Sequence, residues 1–219
     1  MTNHDAVIVR KPWGYEYLAY KNEYVALWLL HIAPGERTSM HCHPNKSTGL
    51  VVLSGEAEIN FIADSRRMQA PAKQMIRRGL FHQTHAVGTD PVLMFEVETP
   101  VDKDDLVRLH DNYGRKDSGY EDTTFELPKT DDCLWIDDQD GVYNFAGRSI
   151  IIEHAVNGIL DNKDPTDIIM FLQGGLTKTI NNRTHMVTMP GDVGLVQVVG
   201  QVAGEMDGFA PNTIIMTIR

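Results

Sequence analysis

Two histidines stand one residue apart at His41 and His43, and a third follows at His82. The pair lies in Gly35-Glu-Arg-Thr-Ser-Met-His41-Cys-His43-Pro-Asn-Lys-Ser-Thr48-Gly-Leu-Val-Val-Leu-Ser-Gly55. In an extended strand, side chains two apart share a face. His41 and His43 then point one way together and Cys42 the other. Two imidazoles on one rigid strand are the start of a transition-metal site. A third donor has to come from a neighbouring strand, and Gly79-Leu-Phe-His82 offers one. With nine histidines in the chain, some His-x-His pairs arise by chance. This pair is set apart by its frame: glycines at both ends, an apolar run behind it, and a second Gly-x-x-His about one hairpin downstream.

The elements that must position these residues read as short strands. Tyr24-Val-Ala-Leu-Trp-Leu-Leu-His-Ile32 is rich in β-formers, and Ala33-Pro-Gly-Glu turns the chain. Leu50-Val-Val-Leu53 is a fully apolar strand, and Glu56-Ala-Glu-Ile-Asn-Phe-Ile62 alternates polar with apolar. Gln74-Met-Ile-Arg enters another strand, and Pro91-Val-Leu-Met-Phe-Glu-Val-Glu closes the series. Even spacing with Gly and Pro turns, and no long helical period, predicts an all-β sandwich or barrel. Asp102 to Thr130 is polar, with one or two helical turns expected over Val101–His110 and loop over Asn112–Tyr120. Arg108, Arg115 and Lys116 there are candidates for gripping an anion, against the plainer reading of a solvated linker.

The strand pattern then repeats. Asp167-Ile-Ile-Met-Phe-Leu-Gln-Gly174 has the shape of the run ending at Gly55, and Ala210-Pro-Asn-Thr-Ile-Ile-Met-Thr-Ile matches Asp90-Pro-Val-Leu-Met-Phe-Glu-Val. On this alignment Leu160 and Asn162 fall where His41 and His43 lie, Asp167 where Thr48 lies, and Leu195 where His82 lies. The second copy keeps the frame without the imidazoles, so no metal is expected in it. Its expected work is packing, dimerisation or covering the first copy. The expected division is a metal-binding lobe at 1–100, a connector at 101–130 and a degenerate lobe at 131–219.

Composition narrows the partners. A net charge of −10 argues against general nucleic-acid binding, which needs a basic surface to displace counterions. No apolar run approaches the length of a membrane span, and Met1-Thr-Asn-His-Asp shows no signal peptide. Two cysteines, Cys42 and Cys133, make no disulfide framework. The cytoplasm is the expected compartment.

The spacing Gly35-x5-His41-x-His43-x4-Thr48-x6-Gly55 resembles the first motif of the cupin family, and Arg77-x-Gly79-x-x-His82-x3-Ala86 resembles the second. The opening Lys11-Pro-Trp-Gly-Tyr-Glu16 is further similar to the cupin domain of type II mannose-6-phosphate isomerases. The resemblance covers roughly Arg10 to Pro100. It implies a bicupin-like double-stranded β-helix of jelly-roll barrels with a degenerate second lobe. It also implies His41, His43 and His82 as ligands of one divalent transition metal, Zn, Fe, Mn or Ni. Homodimerisation through the sheets is implied too, since it would cover edge strands.

Three positions depart from the family pattern. Thr48 stands where the first motif usually has Glu, Ala86 where the second usually has Asn, and Arg77 where it usually has Pro. The expected site is therefore three histidines with no carboxylate from that motif. Thr48 is suited to bonding a metal-bound water. Glu96, alternating with Met94 and Glu98 on the last strand of the lobe, is the best available acid–base group, provided its face looks into the barrel. Lys46, Arg77 and Arg78 lie near the expected mouth, Lys46 and Arg77 being the candidates for holding an anionic substrate. His85 is expected at the surface or behind the ligands, His31 on a sheet face, and Cys42 in packing. The function implied is metal-dependent chemistry of isomerase or epimerase type on a phosphorylated or nucleotide-linked sugar. Two other classes stand beside it: a three-histidine non-haem iron dioxygenase, and a non-enzymatic sugar-binding or regulatory cupin.

Overall fold

The structure is a computed structural model that describes residues 7–102, 104–110, 127–137 and 139–219. Its first half carries β1 (Val9–Lys11), β2 (Gly14–Lys21), β3 (Ala26–Ile32), β4 (Met40–Cys42), β5 (Ser47–Ser54) and β6 (Glu56–Phe61). Then come β7 (Ser65–Gln69), β8 (Ala72–Ile76), β9 (His82–Ala86), β10 (Val92–Thr99) and β11 (Val107–His110). The second half carries β12 (Gly141–Phe145), β13 (Arg148–His154), β14 (Ile168–Gln173), β15 (Leu176–Ile180) and β16 (Arg183–Met186). It ends with β17 (Val193–Leu195), α1 (Val196–Gly204), β18 (Gly208–Phe209) and β19 (Ile214–Ile218). None of the described helices is long and apolar enough to cross a membrane.

Four sheets form. The order β1-β2-β3-β10-β5-β8 makes one, and β11-β4-β9-β6-β7 faces it. The order β12-β13-β19-β14-β17 makes the third, and β16-β15-β18 the fourth. Strand periodicity explains the layering. On β3, β5 and β10 the residues Leu30, Ile32, Leu50, Val52 and Met94 point into the first barrel, against Ile59, Met68 and Ala86 of the facing sheet. Their neighbours Leu27, Leu29, Val51, Leu53, Phe95 and Val97 point the other way and pack on Ile150, Ile168, Met170 and Met216 of the third sheet. A strand with both faces buried reads as a continuous apolar run, and Leu50-Val-Val-Leu53 is such a run. Ile168-Ile-Met-Phe-Leu172 is its counterpart, with Ile169 and Phe171 turned into the second barrel. The architecture is the all-β, bicupin-like double-stranded β-helix, with the two barrels joined back to back through their larger sheets.

Three expectations need correction. β4 has no counterpart in the second lobe among the described residues, so Leu160 and Asn162, between β13 and β14, do not stand where His41 and His43 do. Val107–His110 is not helical but extended, and pairs with β4 in the register Val107↔Cys42 and Arg108↔His41. Leu195 is not the counterpart of His82. It lies on β17, which pairs with β14 as β8 pairs with β5. The slot of β9 is filled by β18 against β15, and α1 intervenes. An inserted helix shifts the register of the repeat, which apolar pattern alone does not reveal. The expected loop at Asn112–Tyr120, with Arg115 and Lys116, lies outside the described residues.

Candidate metal centre

His41 sits on β4, His43 just past its end, and His82 opens β9 directly across from His41. Cys42 turns away and is buried. The ring centroids are 4.5 Å apart for His41 and His82, 5.1 Å for His41 and His43, and 5.6 Å for His43 and His82. Each ring donates its Nδ1–H to a backbone carbonyl. His41 gives it to Ser39 at 2.8 Å, His43 to Asp105 at 2.7 Å, and His82 to Leu80 at 3.0 Å. A carbonyl only accepts, so all three tautomers are set and each Nε2 is left as a lone-pair donor. Nε2 of His43 and of His82 are buried with no hydrogen-bond partner. Orphaned buried nitrogens are costly unless something meets them.

Glu96 completes the cluster. It pairs with Leu50 on one side and Trp28 on the other, so its face does look into the barrel. One ligand atom from each of His41, His43, His82 and Glu96 lies within 4.8 Å of all the others. The carboxylate missing from the first motif thus arrives from β10. Burial, with His82 nearby, pushes the His41 imidazole down to about 3, and burial pushes His82 down as well. Burial pushes Glu96 up, but the imidazoles, His43 foremost, outweigh it and hold the carboxyl at about 2. For His43, burial pushes down and Glu96 more than offsets it, leaving the ring raised. Its Nε2 stands 3.9 Å from Glu96 Oε1, an ion-pair distance and too long for a hydrogen bond. Lone-pair nitrogens around an ionised carboxylate are the donor set a divalent transition metal takes, so the residues present fit such an ion.

Residues 1–111 match a family model described as mannose-6-phosphate isomerase C-terminal. The chain belongs to this cupin family. The mannose-1-phosphate guanylyltransferase of Escherichia coli (strain K12) is 28% identical over 110 residues, 49% of this chain and 23% of that protein. The xanthan biosynthesis protein XanB of Xanthomonas campestris pv. campestris is 26% identical over 109 residues, again 49% and 23%. The match thus spans about a quarter of these relatives' length, 23% of each. Among solved structures, the capsular polysaccharide assembling protein CapF from Staphylococcus aureus has a TM-score of 0.44 and 17% identity, covering 48% of this chain and 34% of that one. KdgF from Halomonas sp. has a TM-score of 0.42 and 16% identity, covering 47% and 94%.

The histidines and Glu96 look onto a cavity of about 280 Å³ in the cupin barrel, His41, His43 and Glu96 forming part of its wall. Of the two cations expected to hold an anionic substrate, the structure brings one to the cavity. Lys46 lines the cavity but is buried and bound to Glu98 at 2.7 Å. Arg77 is exposed and is not among the lining residues. It sits in the β8–β9 turn, which carries it outward. Thr48 lies across from Glu98, buried, its hydroxyl without a partner. His85 bonds Arg37 at 3.3 Å on the far side of the sheet, and His31 stacks on Tyr15 at 4.4 Å.

Sequence reasoning missed four contributors. Glu98 lies 3.8 Å from His43 Nε2, its carboxyl raised by burial and by the charge of Glu96. Trp13 and Trp28 form an aromatic wall. Asp105 accepts from the amides of Asn45 at 2.9 Å and Lys46 at 2.8 Å, while its carbonyl holds His43. Alternation with Glu96 could have found Glu98. Nothing local marks Asp105, because its partners lie about sixty residues away.

Proposed function

We propose that the chain is a metal-dependent cupin acting on an anionic sugar, by isomerase- or epimerase-type chemistry. The carrying observation is the convergence of His41, His43, His82 and Glu96 on one point beside a sugar-sized cavity. A divalent metal held by these four would supply Lewis-acid polarisation of a sugar carbonyl or hydroxyl. The chain's own groups do the rest. Trp13 and Trp28, in the cavity wall, supply aromatic surface for the apolar side of a sugar. Glu96 belongs with the imidazoles, so the proton-moving role falls to Glu98, the neighbouring carboxylate on the same face of β10. Lys46, bonded to Glu98, fixes that carboxylate rather than the substrate. With Glu96 in the cluster the ligand set is three histidines and a carboxylate, and the iron dioxygenase alternative is separated by the metal found and by oxygen consumption.

The names of the family and of its relatives, with their mannose phosphates, support a phosphorylated or nucleotide-linked sugar as the substrate class. In this reading residues 1–100 carry the chemistry and 131–219 bind no metal. Two free cysteines suit the cytoplasm, and a homodimer is part of the proposal. The test is elemental mass spectrometry on untagged protein, followed by NMR of mannose 6-phosphate in D₂O with the metal-loaded chain. About one metal per chain, with deuterium entering the sugar beside the carbonyl carbon, is the expected result. Metal without exchange on any sugar would leave a binding module, and no metal even after reconstitution would overturn the reading.

A further inference from the structure

The connector supplies a wall of the cavity that its polar sequence does not announce. Asp104, Leu106 and Arg108 all line it. The clamp described above, from Asp105 to Asn45, Lys46 and His43, ties this segment to the loop after β4. β11 then runs alongside β4, and Arg108 is placed directly opposite His41. Cross-strand partners share a face, with their Cβ atoms about 5 Å apart. Arg108 therefore lies beside the imidazole cluster, on the solvent side of the cavity, where it is exposed.

The charges around the cavity single it out. Lys11 is bound to Glu16 at 2.8 Å and Lys46 to Glu98 at 2.7 Å. Arg108 makes no ion pair among the described residues. Setting the paired groups aside leaves Arg108 against Glu96 and Asp104, and a bound divalent cation tips the balance positive. With such an ion bound the mouth of this acidic protein would be locally cationic, and a planar guanidinium there offers two parallel donors to an oxyanion.

We propose that Arg108 is the anchor for an oxyanion of the ligand, a phosphate or a carboxylate, held beside the metal centre by the connector strand. The Asp105 clamp is the positioning device that keeps the anchor at its distance from His41. This rests on the metal-centre reading above, and the experiment separates the two. The zinc-loaded full chain is titrated by calorimetry with inorganic phosphate and, separately, with acetate. Wild type, Arg108→Gln and Arg77→Gln are compared, with metal content measured in each, and the titrations are repeated on metal-free protein.

The expected result is phosphate binding weakened roughly tenfold or more in Arg108→Gln, with zinc retained and Arg77→Gln unchanged. A larger loss for phosphate than for acetate assigns a phosphoryl group, and the reverse assigns a carboxylate. Equal affinity in wild type and Arg108→Gln overturns the anchor while leaving the metal centre standing. So does binding that ignores Arg108 and vanishes with the metal, since the anion then sits on the ion. Failure of wild type to bind either anion overturns it as well. Failure to load zinc at all is the separate failure of the metal centre.

Discussion

The sheet β2-β3-β10-β5-β8 of the first lobe and the sheet β12-β13-β19-β14-β17 of the second share one strand order. Where Glu96 pairs with Leu50 in the first, Thr217 pairs with Ile169 in the second. The smaller sheets differ more. β7-β6-β9 has its counterpart in β16-β15-β18, but β4 and β11 have none among the described residues. The second barrel meets its polar needs internally. Lys163 is ion-paired with Glu153, and Thr217 donates to the same carboxylate at 3.1 Å. Glu153, across from Ile215, faces the same interior as Ile215 and Phe171. A lysine ammonium thus serves as a built-in cation in one barrel, while the other gathers donors fit for a metal. The frame is common property. The site needs one extra strand, β4, and a connector that holds its end.

The comparison breaks most visibly at the histidines. His41→Ala/His43→Ala is expected to abolish metal binding by elemental analysis, with no second-lobe residue able to substitute. Loaded wild type should melt several degrees above the variant at equal metal concentration, because an ion that binds the folded state stabilises it.

The next effect lies in the second lobe. Lys163→Met leaves the Glu153 carboxylate without its cation. Breaking a buried pair costs about 3–5 kcal/mol, and Glu153 is partly exposed, so a loss of about 2–3 kcal/mol in urea unfolding is expected. The double variant Lys163→Met/Glu153→Leu should recover most of it. Metal content should stay at the wild-type value in both. If it falls, the lobes are coupled through the shared core and the contrast drawn above is too sharp.

Smaller still is the effect of Asp105→Ala. It removes the carboxylate that holds the Asn45 and Lys46 amides and loosens the loop behind His43. Outer contacts of this kind change metal affinity by about 10–100-fold, which competition with a chelator would measure. An unchanged affinity would mean that the barrel alone orients His43.

Acid should bring out the last difference. The His41 ring is pushed down to about 3 by burial, and His82 down in the same direction, so the unfolded chain binds protons that the folded one does not. Stability of the metal-free protein is then full above about pH 6.5, the ordinary histidine value, and falls as pH drops toward 3. His43 is shifted the other way and partly opposes the trend. His41→Leu should therefore flatten the decline, and urea midpoints across this range would check it.

Much of the fold was legible because strand periodicity is local. Leu50-Val-Val-Leu53 and Ile168-Ile-Met-Phe-Leu172 read as strands buried on both faces, and both are. The imidazoles were legible for the same reason, since His41 and His43 share a strand end and His82 follows a turn glycine. Glu96 was visible as a carboxylate on β10, but its place among the ligands depends on a sheet closing over β4. Arg77 and Arg108, both candidates for holding an anion, are separated by the fold. The cation nearer in sequence to His82 is carried outward by its turn, and the one from the connector is carried in by β11.

Chain order and residue type alone determined that this is an all-β, two-lobed chain with three imidazoles framed by glycines in the first lobe, and the spacing of those motifs carried the resemblance to cupins. The strands follow from periods of two and from turn residues, which act over a few positions. Tertiary structure decided that Glu96 rather than Thr48 brings the carboxylate, that Asp105 holds His43, and that Arg108 stands beside His41. Those outcomes depend on pairings between strands some forty to seventy residues apart, which hydrophobic closure of the barrel brings together and no local pattern encodes.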